Sequence, residues 1–405
     1  MPGTGEMRVL HVIAGISPRL GGPSAAVLNS SAALRRAGIE CAIYSTDQAT
    51  PTRWGIGGRL SSAEISEWGS LDIQLFERQR PYRFSYSPAL RAELRREARR
   101  FDVVHIHALF LYPQLVASWT ALRYGIPYIV SPCGALDPYL RRRNRAAKWL
   151  TDAVWQRRML DRAALIHYKS SEERDLAADL GLQSRAWIVP NGIDWGTFQR
   201  LPSTRLAKRE IVGDEVAPVV LYHGRLSHKK GLDLLIRAFA SLPPTGPRPV
   251  LVIAGPDDEN LRPALMGLAR QLGLERRVRF LPMLGASERL RALAAADVWV
   301  LPSHTENFGI AAVEALAAGR ATVLSSRVNI VNEALQAGAT VATPPDVESI
   351  ARAINQLLAD PEQRSTIGDR ARHFAMRFDW DAIAPALTEM YRTAIAGGDS
   401  LDTGR

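Results

Sequence analysis

Residues 297–319 read DVWVLPSHTENFGIAAVEALAAG. The four apolar residues that follow the first aspartate predict a strand buried on both faces, and Pro302 ends it. Gly309 predicts a tight turn, and the alanine-rich run after it predicts a helix that Gly319 closes. The stretch therefore predicts a strand, a loop and a helix in succession.

Two carboxylates bracket this loop and helix. Glu306 falls in the predicted loop, and Glu314 falls between one and two turns into the predicted helix. The first N–H groups of a helix have no partner within the helix and suit a phosphate. Two acceptors beside such a site fit a ligand with phosphate and vicinal hydroxyls, for example a nucleotide sugar. A surface loop residue and a solvated helix residue are the ordinary alternative for two glutamates at this spacing.

The rest of the 405-residue chain alternates strand and helix patterns, which predicts parallel sheets with helices on both faces. The length suggests two or three domains. Strands are predicted at residues 8–14, 40–47, 72–76, 102–107, 127–132, 165–168, 186–189, 219–223, 249–254, 278–281, 298–301 and 321–325. Helices are predicted at residues 23–37, 346–359, 361–377 and 379–396. Residues 191–217 lack clear periodicity and predict a domain boundary.

Composition limits the class of protein. No run of eighteen apolar residues occurs, so no membrane-spanning helix is predicted. Two cysteines, Cys41 and Cys133, cannot form a disulfide framework and indicate reduced thiols in the cytoplasm. Lys and Arg exceed Asp and Glu by 51 − 41 = 10, which favours anionic partners. No motif of a nucleic-acid module appears, so no nucleic-acid partner is predicted.

Further motifs follow the predicted strands, where ligands bind in open α/β sheets. Gly21 and Gly22 follow the first strand and allow close approach to backbone N–H groups. Arg225 and Lys230 follow the strand that opens the second half, and their side chains can bind phosphate oxygens. A plain turn and a solvated basic turn are the alternative interpretations.

Together these motifs resemble the retaining glycosyltransferases of family 4 (glycosyl transferases group 1, GT-B fold), of the bacterial surface-polysaccharide type. The resemblance rests on Gly21-Gly22, PNGID at 190–194, GRL at 224–226 with Lys230, IAG at 253–255, and ENFGI at 306–310 with Glu314, and covers residues 8–392. It implies two Rossmann-like β/α/β domains facing across a cleft. It assigns residues 1–195 to the acceptor, 196–378 to the donor, 379–396 to a helix returning to the first domain, and 397–405 to a flexible tail.

The resemblance also implies a role for each matched residue. Arg225, Lys230 and Glu306 would form the catalytic group, with the two cations on the donor diphosphate. Glu306 and the backbone after it would hold the transferred sugar and phosphate, and Glu314 the ribose. Gly21 and Gly22 would help to seat the diphosphate. The implied donor-binding set is Gly21, Gly22, Asn307, Phe308, Gly309, Ile310 and Glu314.

One position departs from the family pattern. Cys133 stands where the family usually has a histidine that reaches the donor sugar or the acceptor. A thiol is a weaker hydrogen-bond donor, so either the donor sugar differs or activity is reduced. His107, at the end of its predicted strand, is a candidate to replace that histidine in part. A histidine of the core or of the cleft wall is the alternative.

We expect no metal and no cofactor. The Asp-x-Asp match at 379–381 falls at the start of a predicted helix, where aspartate is an ordinary cap. Arg225, Lys230 and helix N-termini would instead stabilise the leaving diphosphate. The resemblance implies retention of configuration at the anomeric carbon.

The acceptor side is less determined. Residues 139–162 combine tryptophan with a cluster of cations, which fits an anionic membrane surface. A surface helix docked on its own sheet fits equally well. Membrane docking would suit a polyprenyl-diphosphate-linked acceptor and a peripheral position on the inner face of the plasma membrane. Residues 48–70 are either an acceptor-side flap or a poorly ordered insertion.

The function that we expect is retaining transfer of a sugar from a UDP- or GDP-linked donor. The acceptor would be a glycan or a lipid-linked glycan, as in cell-surface polysaccharide biosynthesis. Two alternatives remain open. One is another GT-B enzyme such as a sugar-nucleotide epimerase, and the other is a catalytically silent membrane- or glycan-binding partner.

Overall fold

The chain divides into two compact units, each built on one parallel sheet. The computed structural model describes residues 7–17, 20–49, 60, 65, 68–141, 150–243 and 248–399. One unit comprises Met1–Gly192 with Trp380–Arg405, and the other comprises Ile193–Asp379.

The first unit has a seven-stranded sheet in the order β3-β2-β1-β4-β5-β6-β7, with every neighbouring pair parallel. Its strands β1 to β7 are Arg8–Ile13, Glu40–Thr46, Asp72–Phe76, Val103–His107, Tyr128–Ser131, Leu165–Tyr168 and Arg185–Ile188. The central strands are buried on both faces, which explains their nearly continuous apolar sequence. Because all strands run in one direction, their carboxyl ends share one edge of the sheet.

Short helices cover this sheet. Helices α1 to α6 are Gly22–Arg36, Pro88–Glu97, Tyr112–Tyr124, Pro138–Arg141, Arg157–Asp161 and Ser171–Leu176, and a π-helical turn, Asp152–Gln156, precedes α5. Local sequence explains where they begin. Ser87 Oγ accepts the Leu90 N–H, and Pro88 occupies the first turn of α2.

The second unit has a six-stranded parallel sheet in the order β10-β9-β8-β11-β12-β13. Strands β8 to β13 are Val219–His223, Val250–Ala254, Val278–Leu281, Val298–Leu301, Ala321–Ser325 and Val341–Thr343. Helices α7 to α14 are Thr204–Val212, Leu232–Ala240, Arg262–Gln271, Ala286–Ala295, Ile310–Ala317, Val331–Gln336, Val347–Ala359 and Pro361–Ala375. Residues 297–319 contain β11 and α11, and β11 lies in the centre of this sheet.

The last helix, α15 (Trp380–Asp399), belongs to the first unit. It packs on α1, where Arg36 Nη2 lies 2.8 Å from Asp381 Oδ1, and its Tyr391 hydroxyl lies 2.9 Å from His105 Nδ1. The helix runs three residues into the predicted tail at 397–405, and residues 400–405 lie outside the described part.

Three expectations about local structure need correction or restriction. The predicted boundary at 191–217 includes the division between the units, after Gly192, but it also contains α7, whose buried Ala207 and Val212 are hidden among charged residues in the sequence. The edge strand β13 was missed because three residues are too few to show a period. Most of residues 48–70 lie outside the described residues, although Leu60 and Ile65 contribute to the core.

The α/β class with two Rossmann-like parallel sheets is confirmed. None of the helices in the described part of the chain is both long and apolar enough to cross a membrane.

Candidate active site

Glu306 occupies the loop between β11 and α11, as predicted. Its N–H donates to Arg327 O at 3.0 Å, and its carbonyl accepts the Asn329 N–H at 3.0 Å. These backbone bonds hold the loop against the segment that follows β12. The Glu306 side chain is therefore presented from a fixed backbone, and the residue is only 9% exposed.

Two lysines from the loop after β8 surround the Glu306 carboxylate. Lys230 Nζ donates a hydrogen bond to Glu306 Oε2, and Lys229 Nζ lies 3.7 Å from the same oxygen. Burial alone would raise the pKa of Glu306, but Lys229, Lys230 and Arg225 outweigh it and lower this pKa to about 2. Burial also lowers the pKa of Lys230, with Glu306 partly opposing. The pair thus combines a carboxylate and a cation at neutral pH.

Backbone contacts bring the lysine loop to this position. The His304 N–H donates to Lys229 O at 2.8 Å, which joins the loop to the residues after β11. Gly231 has a φ of +63°, and a Cβ there would lie 2.5 Å from Pro302 O. Only glycine permits so close an approach, so the sequence Lys-Lys-Gly is needed to set Lys230 on Glu306.

Arg225 lies in the turn that begins the same loop. Its Nε is 3.5 Å from Asp258 Oδ2, and its carbonyl accepts the Tyr222 hydroxyl at 2.7 Å. The turn rests on the loop after β9, where Gly255 has a φ of +149° and a Cβ would lie 1.9 Å from Gly224 O. Two glycine-containing turns are therefore in backbone contact directly beneath the arginine.

A hydrogen-bonded chain orients Glu314 on α11. Trp299 Nε1–H donates to His223 Nδ1 at 2.8 Å, so the ring proton of His223 is on Nε2. That Nε2–H donates to Glu314 Oε2 at 2.9 Å, and Arg289 Nη1 lies 3.5 Å from Oε1. Burial would raise the pKa of Glu314, but Arg289 and His223 outweigh it and lower this pKa. Glu314 is therefore a buried carboxylate in a fixed orientation.

The N-terminus of α11 lies beside Glu306. Gly309 has a φ of +78° and its carbonyl accepts the N–H groups of Ala312 and Val313 at 2.8 and 3.1 Å. Within the described residues, no protein acceptor takes the N–H groups of Phe308, Gly309 and Ile310. These donors and the lysines place positive potential at one end of the helix.

The predicted residues of the first unit lie at the carboxyl edge of its sheet. Gly21 has a φ of +90° and directly precedes α1, which begins at Gly22. His107 ends β4 and is buried, with its Nε2 3.0 Å from His11 Nδ1. Cys133 follows β5, has a φ of +53°, and its Sγ lies 3.6 Å from Ser131 Oγ. His107 thus has the hydrogen-bonded setting of a core histidine.

Three imidazoles of the first unit could in principle hold a metal ion. Nitrogen atoms of His11, His105 and His107 lie within 4.8 Å of one another. His11 and His107 hydrogen-bond to each other, and His105 binds Tyr391 and His167. The rings are therefore linked in a buried network, although His11 Nε2 has no hydrogen-bond partner within the described residues.

Sequence reasoning missed His223, Arg289 and Lys169. His223 ends β8 immediately before Gly224-Arg225, and Lys169 follows β6, so both occupy strand ends where ligands bind. Arg289 lies on α10 and carried no sequence signal.

Comparisons with known proteins show the family of the chain. The family model "Glycosyl transferases group 1" matches residues 204–374, and "Glycosyl transferase 4-like domain" matches residues 21–192. A D-inositol 3-phosphate glycosyltransferase of Kineococcus radiotolerans is 30% identical over 326 residues, which are 76% of this chain and 74% of the relative. D-inositol 3-phosphate glycosyltransferase 2 of Catenulispora acidiphila is 32% identical over 329 residues, with coverages of 76% and 74%.

Solved structures resemble almost the whole chain. Anabaena Alr3699/HepE in complex with UDP and glucose has a TM-score of 0.77 at 21% identity, covering 96% of this chain and 100% of that one. Sucrose-phosphate synthase from Thermosynechococcus elongatus has a TM-score of 0.75 at 19% identity, with coverages of 96% and 100%. At such identities the likeness shows the fold.

Two Rossmann-like parallel sheets and the likeness to these solved structures define the fold as GT-B, and the matching family models define the class as a glycosyltransferase. Within that class, this chain belongs to the glycosyl transferases group 1, of the family 4 type.

Proposed function

We propose that this glycosyltransferase takes its sugar from a nucleotide diphosphate sugar bound by the second unit. The observation that carries the proposal is the contact between Lys230 and Glu306 at the N-terminus of α11. Cations and helix N–H groups bind phosphates, and a carboxylate beside them binds sugar hydroxyls. The solved Anabaena relative in fold is named as a complex with UDP-glucose, which supports the same donor class.

Each group in the cluster has a role under this proposal. Arg225 and Lys230 bind the diphosphate together with the N–H groups of residues 308–310. Glu306 accepts hydrogen bonds from the transferred sugar, and Glu314 accepts them from the ribose. Gly21 and Gly22 contribute backbone N–H groups from the first unit. Because His223 and Arg289 already hold Glu314 in place, little ordering is needed when the nucleoside binds.

We further propose retention of configuration without a metal ion. The acceptor oxygen bonds to the anomeric carbon as the bond from that carbon to the diphosphate oxygen breaks. The acceptor proton passes to the departing phosphate, on the same face of the sugar. Negative charge grows on the diphosphate, and Arg225, Lys230 and the helix N–H groups stabilise it from fixed positions.

Calorimetric titration with UDP and GDP tests donor binding. We expect Glu314→Ala to weaken binding of the preferred nucleotide about ten-fold or more, since hydrogen bonds to a charged group contribute about 1.5–3 kcal/mol. Glu348→Ala is the matched control, because Glu348 is an exposed glutamate on another helix of the same unit. Equal affinity of wild type and folded Glu314→Ala would remove Glu314 from the site.

Product analysis separates the proposed activity from the alternatives. Candidate donors are UDP-glucose, UDP-N-acetylglucosamine and GDP-mannose, each offered with and without an acceptor. Transfer requires the acceptor, whereas an epimerase releases product without one and a silent binding protein releases none. Two acceptors are offered in this assay. The relatives are named for D-inositol 3-phosphate, so this compound is the first. A lipid-linked glycan of surface polysaccharide assembly is the second.

Membrane association of the acceptor side is a separate proposal. Residues 142–149 of the predicted membrane segment lie outside the described part. Of the rest, Leu150 and Val154 are 57% and 64% exposed, whereas Met159 is buried and Trp155 packs against Phe84. We expect Leu150→Ser with Val154→Ser to reduce co-sedimentation with anionic liposomes. A wild-type protein that ignores such liposomes at low salt would contradict the proposal.

A further inference from the structure

Lys169 is a buried lysine at the carboxyl edge of the first sheet. It directly follows β6 and is only 7% exposed. His107, at the end of β4, and Cys133, after β5, occupy the same edge on the next two strands. Of the three, Cys133 is partly exposed. This edge is where parallel α/β sheets bind ligands.

The hydrogen bonds around Lys169 show that its neighbours are neutral imidazoles. His167 Nε2–H donates to Val189 O at 2.9 Å, so Nδ1 of that ring is an acceptor. The single lone pair of this Nδ1 faces both Lys169 Nζ, at 3.1 Å, and His105 Nε2–H, at 3.2 Å. Lys169 Nζ also lies 3.1 Å from His167 Nε2, whose proton is used on Val189 O. His105 Nδ1 in turn accepts the Tyr391 hydroxyl at 2.9 Å. One tautomer of each ring therefore satisfies the whole chain without any ring being charged.

The charge of Lys169 is only partly offset by a carboxylate, that of Glu173. Within the described residues no acidic oxygen lies at ion-pair distance from its Nζ. Glu173 directs its two carboxylate oxygens at the backbone N–H groups of Gly134 and Lys169, each at 2.6 Å. The other buried lysine with similar exposure, Lys208, lies 2.8 Å from Asp297. A buried ammonium without a counter-ion is unfavourable unless an anion joins it.

We propose that Lys169 forms an anion subsite of the first unit and that it binds a phosphate group of the acceptor. This inference rests on the proposed function, which gives the donor diphosphate to the cations of the second unit. The ammonium uses one proton on His167 and retains two for a ligand. A phosphate has the charge that this site lacks, whereas an uncharged sugar would leave the ammonium without a counter-ion.

Titration calorimetry of the full chain, without donor, tests the subsite. The probes are D-inositol 3-phosphate, geranyl diphosphate and uncharged myo-inositol. We expect at least one phosphate probe to bind about ten-fold or more tightly than myo-inositol, and Lys169→Met to abolish that difference. Lys169→Arg should retain part of it. The probe with the larger Lys169 dependence distinguishes a phosphomonoester from the diphosphate of a lipid carrier.

Controls separate this subsite from the donor site. Arg174→Gln removes an exposed cation of α6 five residues away and should change neither phosphate nor UDP binding. UDP affinity should be the same in Lys169→Met and wild type. Loss of UDP binding in Lys169→Met would assign the lysine to the donor and overturn the inference. Failure of wild type to bind any nucleotide would contradict the proposed donor but not the phosphate result.

Two further outcomes would overturn the inference. In the first, the wild-type protein binds neither phosphate probe at millimolar concentration. In the second, a folded Lys169→Met protein binds both phosphate probes with the affinity of the wild type. If Lys169→Met fails to fold, sulfate binding to wild type saturated with UDP decides, because UDP covers the cations of the donor site and sulfate keeps its charge across the pH range. Sulfate affinity should fall as pH rises through about 8, where Lys169 loses its proton. The facing groups are His11, His105, His107, His167, Cys133 and Glu173. Constant affinity would overturn the inference.

Discussion

Replacing Lys169 by methionine should stabilise the protein near pH 7. Burial lowers the pKa of Lys169 from 10.5 to about 8, with Cys133 and Glu173 partly opposing. The folded state therefore holds this proton less firmly than the unfolded chain does. Methionine has a similar length and no charge, and His167 Nδ1 keeps its hydrogen bond from His105.

The magnitude follows from the pKa difference. At about 1.36 kcal/mol per pKa unit, a fall from 10.5 to about 8 corresponds to roughly 3 kcal/mol. Below about pH 8 the lysine is charged in both states and the whole penalty applies. Between about pH 8 and 10.5 the unfolded state binds more protons, so wild-type stability rises with pH. The advantage of Lys169→Met should therefore shrink to about half near pH 9.5.

Urea denaturation followed by circular dichroism, at about pH 7 and about pH 9.5, measures this effect. Lys208→Met is the matched control, because it removes a buried lysine that is paired with Asp297. We expect the control to lower stability by about 1–3 kcal/mol at both pH values. A Lys169→Met protein less stable than wild type near pH 7, or a gain that does not depend on pH, would refute the reasoning.

Three further predictions concern the second unit. We expect His223→Phe to weaken UDP binding about five-fold or more, because Glu314 loses the hydrogen bond that orients it. The kcat at saturating donor should change little. Calorimetry and steady-state kinetics measure both quantities, and a lower kcat with unchanged UDP affinity would contradict the prediction. Gly255→Ala should lower Tm by about 5 °C or more, since its Cβ would lie 1.9 Å from Gly224 O, whereas Gly267→Ala, with no atom within 4 Å, should not. Transfer activity should survive exhaustive EDTA treatment, and loss that magnesium or manganese reverses would show a metal requirement.

The sheets could be predicted closely because buried parallel strands are short, apolar and bounded by glycine or proline. Val219–His223, Val278–Leu281 and Val298–Leu301 begin and end where the sequence predicted. Helix α7 escaped notice for the opposite reason, because its solvent face carries most of its charges and only a few positions are buried. Lys208, one of those charges, is itself buried, and its partner Asp297 is distant in sequence.

The residues of the candidate site could be predicted only where a charged side chain falls near a glycine turn at the end of a strand. Glu306, Glu314 and Lys230 lie within a few residues of glycine turns at strand ends, so local sequence indicates their positions, and their roles stay predictions. Arg289 reaches Glu314 from another helix, and the contact depends on how α10 packs. Lys169 resembles any surface lysine until the structure shows it buried, with no ion pair among the described residues. Such contacts arise from tertiary packing and leave no periodic signal.

The ion pair between Lys230 and Glu306 has a consequence for turnover. The Glu306 carboxylate already takes one proton of the Lys230 ammonium, so an incoming phosphate shares the lysine with a second anion. A complete donor compensates Glu306 by offering sugar hydroxyls. Inorganic phosphate, or a nucleoside diphosphate that has lost its sugar, has no sugar hydroxyl with which to bind the Glu306 carboxylate. Under the proposed function, the same pair that admits the donor therefore favours departure of the spent nucleotide, and resists occupation by the abundant phosphate of the cell.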